Sequence, residues 1–101
     1  MVVSMTDFKA SLANTAPADN LAPPLAALWW AATGDWDAAH KIVMNEDTKD
    51  AAWVHAYLHR VEGDLSNAGY WYRRAAKPVA NDALDAEWQR IVDALEMGNK
   101  S

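Results

Sequence analysis

There is no cysteine among these 101 residues, which removes disulfides, thiolate metal ligands and a cysteine nucleophile from consideration. Glycine and proline are sparse as well, four of each, so the points at which the chain can turn sharply are few and easily located. No apolar run approaches the roughly 18 residues of a membrane span, and the opening residues MVVSMTDFKASLANTAPA lack the basic stretch and apolar segment of a secretory signal. A cytoplasmic location, without membrane contact, is therefore expected. Acidic residues outnumber basic ones by fourteen to nine; because affinity for nucleic acid grows with the phosphates that Lys and Arg neutralise, no nucleic-acid partner is expected. There is no glycine-rich phosphate loop, and Ser4, Ser11, Ser66 and Ser101 sit in no strand-to-helix elbow. No catalytic residue is assigned on these grounds, and no cofactor is called for.

What is present is apolar surface in quantity. Half of the chain is apolar (51%) and it carries six tryptophans, enough for one domain with a core of its own. The apolar residues recur at helical spacing, and the stretch WVHAYLHRVEGDLSNAGYWYRRAA, from Trp53 to Ala76, reads as two helices folded back at Gly63-Asp64. A second copy, LAALWWAATGDWDAAHKIV, lies 29 residues upstream and sets Gly34-Asp35 opposite Gly63-Asp64, Ala27 opposite Ala56 and Ala39 opposite Ala68. In each copy the glycine suits the left-handed residue after a helix, and the aspartate suits the cap of the next one.

The spacing predicts an all-α chain. A short helix starts at Thr6 and runs to about Asn14. A proline-bearing linker follows, and then four helices: from Pro23-Pro24 to Thr33, Trp36 to Met44, Asp50 to Glu62 with Asp47 or Thr48 as cap, and Leu65 to Ala76. The last helix, from about Asn81 to Met97, has Leu84, Trp88, Ile91 and Leu95 in one stripe, with Asp85, Glu87, Arg90 and Asp93 elsewhere, so it should have one wet face. Residues 1–101 thus read as a single domain: helix and linker over 1–23, two helical hairpins over 24–80, and a capping helix over 81–98.

The order Gly63, Asp64, Ala68, Tyr72, Ala75, echoed by Gly34, Asp35, Ala39 and Val43, resembles the tetratricopeptide repeat, with its glycine-acidic turn and small residues along the hairpin seam. The likeness covers about residues 24–80. It departs from the family in a period of 29 residues rather than 34, and in carrying His59 and His55 where the family places an aromatic and a leucine. The whole chain is also similar to a family of short bacterial proteins with a WVHAYLHR…EGD…NAGYWYRRA segment, a likeness that implies no activity. The tetratricopeptide resemblance implies stacked hairpins used as a protein–protein interaction module, with a protein or peptide partner. It places ligand contact in the groove lined by the first helix of each hairpin, here Trp53, Tyr57 and Arg60, with Arg60 gripping a partner carboxylate.

The sharpest chemical grouping is His55, His59 and Glu62, which steps of four and three residues bring onto one side of a helix. Imidazole and carboxylate are ordinary zinc ligands, with His40 or Asp64 to be brought in by folding. The competing reading is packing: Trp53, Val54, Ala56, Tyr57, Leu58 and Val61 make this helix apolar almost all round, so His55 and His59 should be at least half buried and bonded to protein groups. On the next helix Asn67, Trp71 and Arg74 share one face, Tyr70 and Arg73 another, and Ala68, Tyr72 and Ala75 form the inner seam. An arginine beside an aromatic can grip a carboxylate, or simply cover the ring with its stem. Trp29, Trp30 and Trp36 read as core, with any surplus surface suited to a homodimer contact.

Overall fold

The computed structural model describes residues 5–18 and 21–98. Every regular element among them is an α-helix: α1 Met5–Ser11, α2 Pro23–Ala32, α3 Trp36–Met44, α4 Lys49–Val61, α5 Leu65–Ala75 and α6 Leu84–Gly98. No described helix is long and apolar enough to cross a membrane.

The two Gly-Asp turns use one device twice. Gly34 and Gly63 hold φ of +92° and +86°, a left-handed conformation that costs a residue with a Cβ free energy and glycine almost none. The amide of Asp35 donates to the Trp30 carbonyl and that of Asp64 to the His59 carbonyl, both at 2.9 Å, which closes the preceding helix. Each aspartate then caps the next helix: Asp35 accepts from the Ala38 amide at 3.0 Å and Asp64 from the Asn67 amide at 3.2 Å. Helix α4 has its own cap, the Thr48 hydroxyl accepting from the Ala51 amide at 3.0 Å.

These turns lay α2 against α3 and α5 against α4, while α4 also meets α3, α2 and α6. As the helix with most neighbours, α4 is buried continuously from Ala51 to His59, which is why its sequence is apolar on nearly every side. Ala39, Ala68 and Ala75 are almost inaccessible and Tyr72 is buried beside them, so the small residues mark the seams where helices approach closely. Indole N–H groups tie elements together: Trp36 donates to the Leu58 carbonyl at 2.7 Å, Trp88 to the Leu28 carbonyl at 2.9 Å, and Trp29 to Ser11 Oγ at 3.1 Å. The last bond, with Phe8 packed on Trp88, fastens α1 to the core.

Three expectations need correction. Helix α1 ends at Ser11, three residues short of Asn14. The last helix begins at Leu84, three residues after Asn81, because the preceding residues form a loop whose Asp82 carbonyl accepts from Arg60 and whose Asp82 carboxylate pairs with Arg90. Leu84 is partly exposed, and Glu87, expected on the wet face of α6, is fully buried.

Candidate functional site

His55 and His59 stand one turn apart on α4, and both are buried, 4% and 6% exposed. The packing of α3 on α4 brings His40 against them. His40 Nε2 lies 3.0 Å from His55 Nε2, and the ring centroids of His55 and His59 are 4.9 Å apart, those of His40 and His59 5.4 Å. One nitrogen from each of the three rings falls within 4.8 Å of the other two. Both histidines are therefore buried and bonded to protein groups, as the apolar character of α4 implied.

Aromatic neighbours fix the ring planes. Trp36 stacks on His40 with centroids 4.6 Å apart and an interplanar angle of 13°; Trp71, from α5, stacks on His55 at 3.9 Å and 14°. Glu62 has a different place from the one expected. Its carboxylate binds His59 Nδ1 at 2.6 Å and is bonded to neither of the other two rings, so the third imidazole of the cluster comes from α3. Asp64 forms a second grouping with His59 and Glu62, but its carboxylate is already engaged as the cap of α5.

The surroundings of His55 and His40 favour their neutral forms. Burial, followed by the neighbouring His40 and His59, pushes the pKa of His55 down to about 4. Burial and then His59 lower that of His40 as well, against an opposing pull from Glu62 and Asp37. His55 Nδ1 is buried with no hydrogen-bond partner, so the three rings do not satisfy one another.

Above the cluster the same three helices frame a cavity of about 480 Å³. Met44, one turn beyond His40 on α3, and Ala52, almost one turn before His55 on α4, form part of its wall; Lys49, Trp71 and Arg74 also line it, with Glu46 and Asp47 from the α3–α4 loop. The Arg74 guanidinium lies 5.2 Å from the Trp71 ring and 5.8 Å from that of Tyr70, whose hydroxyl accepts from Nη1 at 3.2 Å. Its nearest carboxylate, on fully exposed Asp47, is 3.6 Å away.

The face expected to receive a partner is used inside the molecule. Trp53 and Tyr57 are each only 7% exposed. Arg60 pairs with Glu87 at 2.8 Å and donates to the Asp82 carbonyl; the other Glu87 oxygen accepts from the Tyr72 hydroxyl. Burial and then Glu87 raise the Tyr57 pKa to about 12, and burial and Glu87 raise that of Tyr72 too. A carboxylate does meet Arg60, but it comes from α6. Two residues were underrated in the sequence: Glu87, whose spacing of four before Ile91 places it beside the apolar stripe, and His40, which follows Trp36 by four on α3. No known protein family, curated protein or solved structure matches the chain.

Proposed function

We propose that the protein is a small interaction module of the tetratricopeptide-like kind, two stacked helical hairpins capped by α6, which grips an acidic segment of a protein partner between α3 and α5. The pairwise packing of α2 with α3 and of α4 with α5, and the repeated Gly-Asp turns, support the hairpin reading. The observation that carries the functional reading is Arg74, mounted over Trp71 and Tyr70 at the edge of the cavity of about 480 Å³, with its charge committed to no buried acid. Its long, exposed contact with Asp47 is of the kind that contributes little and is readily exchanged. Trp71 and Met44 offer apolar surface to the same ligand, and Lys49 adds a second cation. The role that the repeat resemblance gave to Arg60 passes to Arg74, because Arg60 is consumed by Glu87.

The test is capture from native cell extract with wild type and Arg74→Glu. Arg74 is exposed, so the variant should keep its helical circular dichroism while losing roughly 10-fold or more of its bound partner, since a charge-assisted contact is replaced by a repulsive one. Binding to wild type should also weaken as salt is raised. Equal recovery of every partner by the two proteins would reject this face.

A further inference from the structure

We propose that His40, His55 and His59 form a binding site for one divalent first-row transition metal ion, such as Zn(II) or Co(II), with an imidazole nitrogen of each as ligand. None of the three ligands belongs to the partner-binding reading, which shares only Trp71 with this site and does not bear on it.

The donor atoms are close to metal-binding distances. A tetrahedral ion with bonds of about 2.0–2.1 Å holds its nitrogens about 3.3 Å apart. His40 Nε2 and His55 Nε2 are 3.0 Å apart, and the full set of three lies within 4.8 Å. Small changes in ring angle would seat the ion, and no movement of a helix is needed, since two ligands share α4 and α3 is already packed against it.

The supporting shell is also in place. Metal-ligating histidines usually give their second ring N–H to a carboxylate, which fixes the tautomer and makes the remaining nitrogen a better donor. Glu62 does this to His59 at Nδ1, which leaves Nε2 as the ring nitrogen available to an ion. The Trp36 and Trp71 stacks hold the other two rings in plane. His55 differs from His59 in this respect: its Nδ1, the nitrogen not turned to His40, is buried without a partner, so the Trp71 stack, rather than a bond at that nitrogen, orients the ring.

The donor set selects the ion. Three imidazoles without thiolate or carboxylate suit Zn(II), Co(II), Ni(II) or Cu(II). They do not suit Ca(II) or Mg(II), which want oxygen, or Cu(I), which favours sulfur. A four-coordinate ion would keep one position for water or another ligand, the arrangement of sites at which metals bind exogenous groups. Glu62 and Asp64 are not the centre of the site, because each already has a bond to make elsewhere and both are exposed.

The experiment is titration of metal-free protein with Co(II), followed by visible absorption and by quenching of tryptophan fluorescence through Trp36 and Trp71. One Co(II) per chain with the strong absorption of a tetrahedral ion, displaced by one equivalent of Zn(II), is the expected result. His40→Gln, which alters the least buried ring and leaves α4 untouched, should weaken binding at least as much as the loss of an outer-shell partner can, about 100-fold. Glu62→Gln should weaken it by about 10-fold while leaving the tertiary fold and the stoichiometry unchanged. Folded wild-type protein that takes up neither Co(II) nor Zn(II) at stoichiometric level overturns the proposal. So does uptake that survives His40→Gln undiminished, which would assign the metal to surface carboxylates.

Discussion

A carboxylate on a helix reads as a solvated residue unless its partner is known, and the partner of Glu87 is 27 residues away in sequence. The Arg60–Glu87 pair joins α4 to α6 with the Glu87 carboxylate closed to water and Arg60 partly buried over it, and Tyr72 completes it from α5. Removing one member of a buried pair strands the other charge, a loss of about 3–5 kcal/mol. Arg60→Leu should therefore lower stability by about that much in chemical denaturation, a large share of what a domain of this size has. The double variant Arg60→Leu/Glu87→Gln removes the stranded charge while keeping an acceptor for Tyr72, and should recover about 2 kcal/mol. Additive effects of the two changes would show that the pair is not coupled and that the burial of Glu87 has another cause.

At the scale of the element, what was legible in the sequence was local. A helix end, a left-handed residue and a cap lie within a few positions of one another, so Gly34-Asp35 and Gly63-Asp64 identified both turns, and the boundaries of α3 and α5 fell within a residue of expectation. The start of α6 was not legible, because Arg60 and Arg90 hold the loop before it, and neither contact leaves a mark on the loop's own sequence. For the same reason the site was half legible: His55, His59 and Glu62 are neighbours along one helix, whereas His40 arrives only through packing. The left-handed positions give a paired test. Gly63→Ala puts a Cβ into open space, with nothing within 4 Å, so its cost is that of the backbone alone, about 1–2 kcal/mol. Ala76, which ends α5 at φ +58°, already bears that strain, and Ala76→Gly should stabilise by about 0.5–1 kcal/mol. Urea unfolding of both variants checks the signs; a destabilising Ala76→Gly would mean that residue 76 is not left-handed in solution.

For the whole molecule the histidine cluster makes stability depend on pH in a defined window. In the metal-free protein His55 is neutral in the fold, with a pKa of about 4, whereas in the unfolded chain it returns to about 6.5. Between those values the unfolded state binds the extra proton, so stability falls as pH is lowered through the window and is flat above it. The groups facing this ring are His40 from α3, His59 on α4 and the uncharged Trp71 from α5, with Glu62 and Asp37 near enough to act on His40. His40, also lowered, acts with the same sign. The depressed pKa of Asp82, set mainly by its bond to Arg90, costs stability only at more acidic pH, below the usual carboxylate range. Lowering the pH from 7 to 4, where His55 is protonated in the unfolded chain and half protonated in the fold, removes about 3 kcal/mol, which for a domain of this length corresponds to a fall in Tm of roughly 10–20 °C. His55→Phe keeps a flat ring against Trp71 and removes both the titrating group and the unpaired nitrogen, so its melting temperature should vary much less across the window. A wild-type Tm that stays constant from pH 7 to pH 4.5, or a His55→Phe profile as steep as that of wild type, would place the acid sensitivity of the fold somewhere other than this cluster.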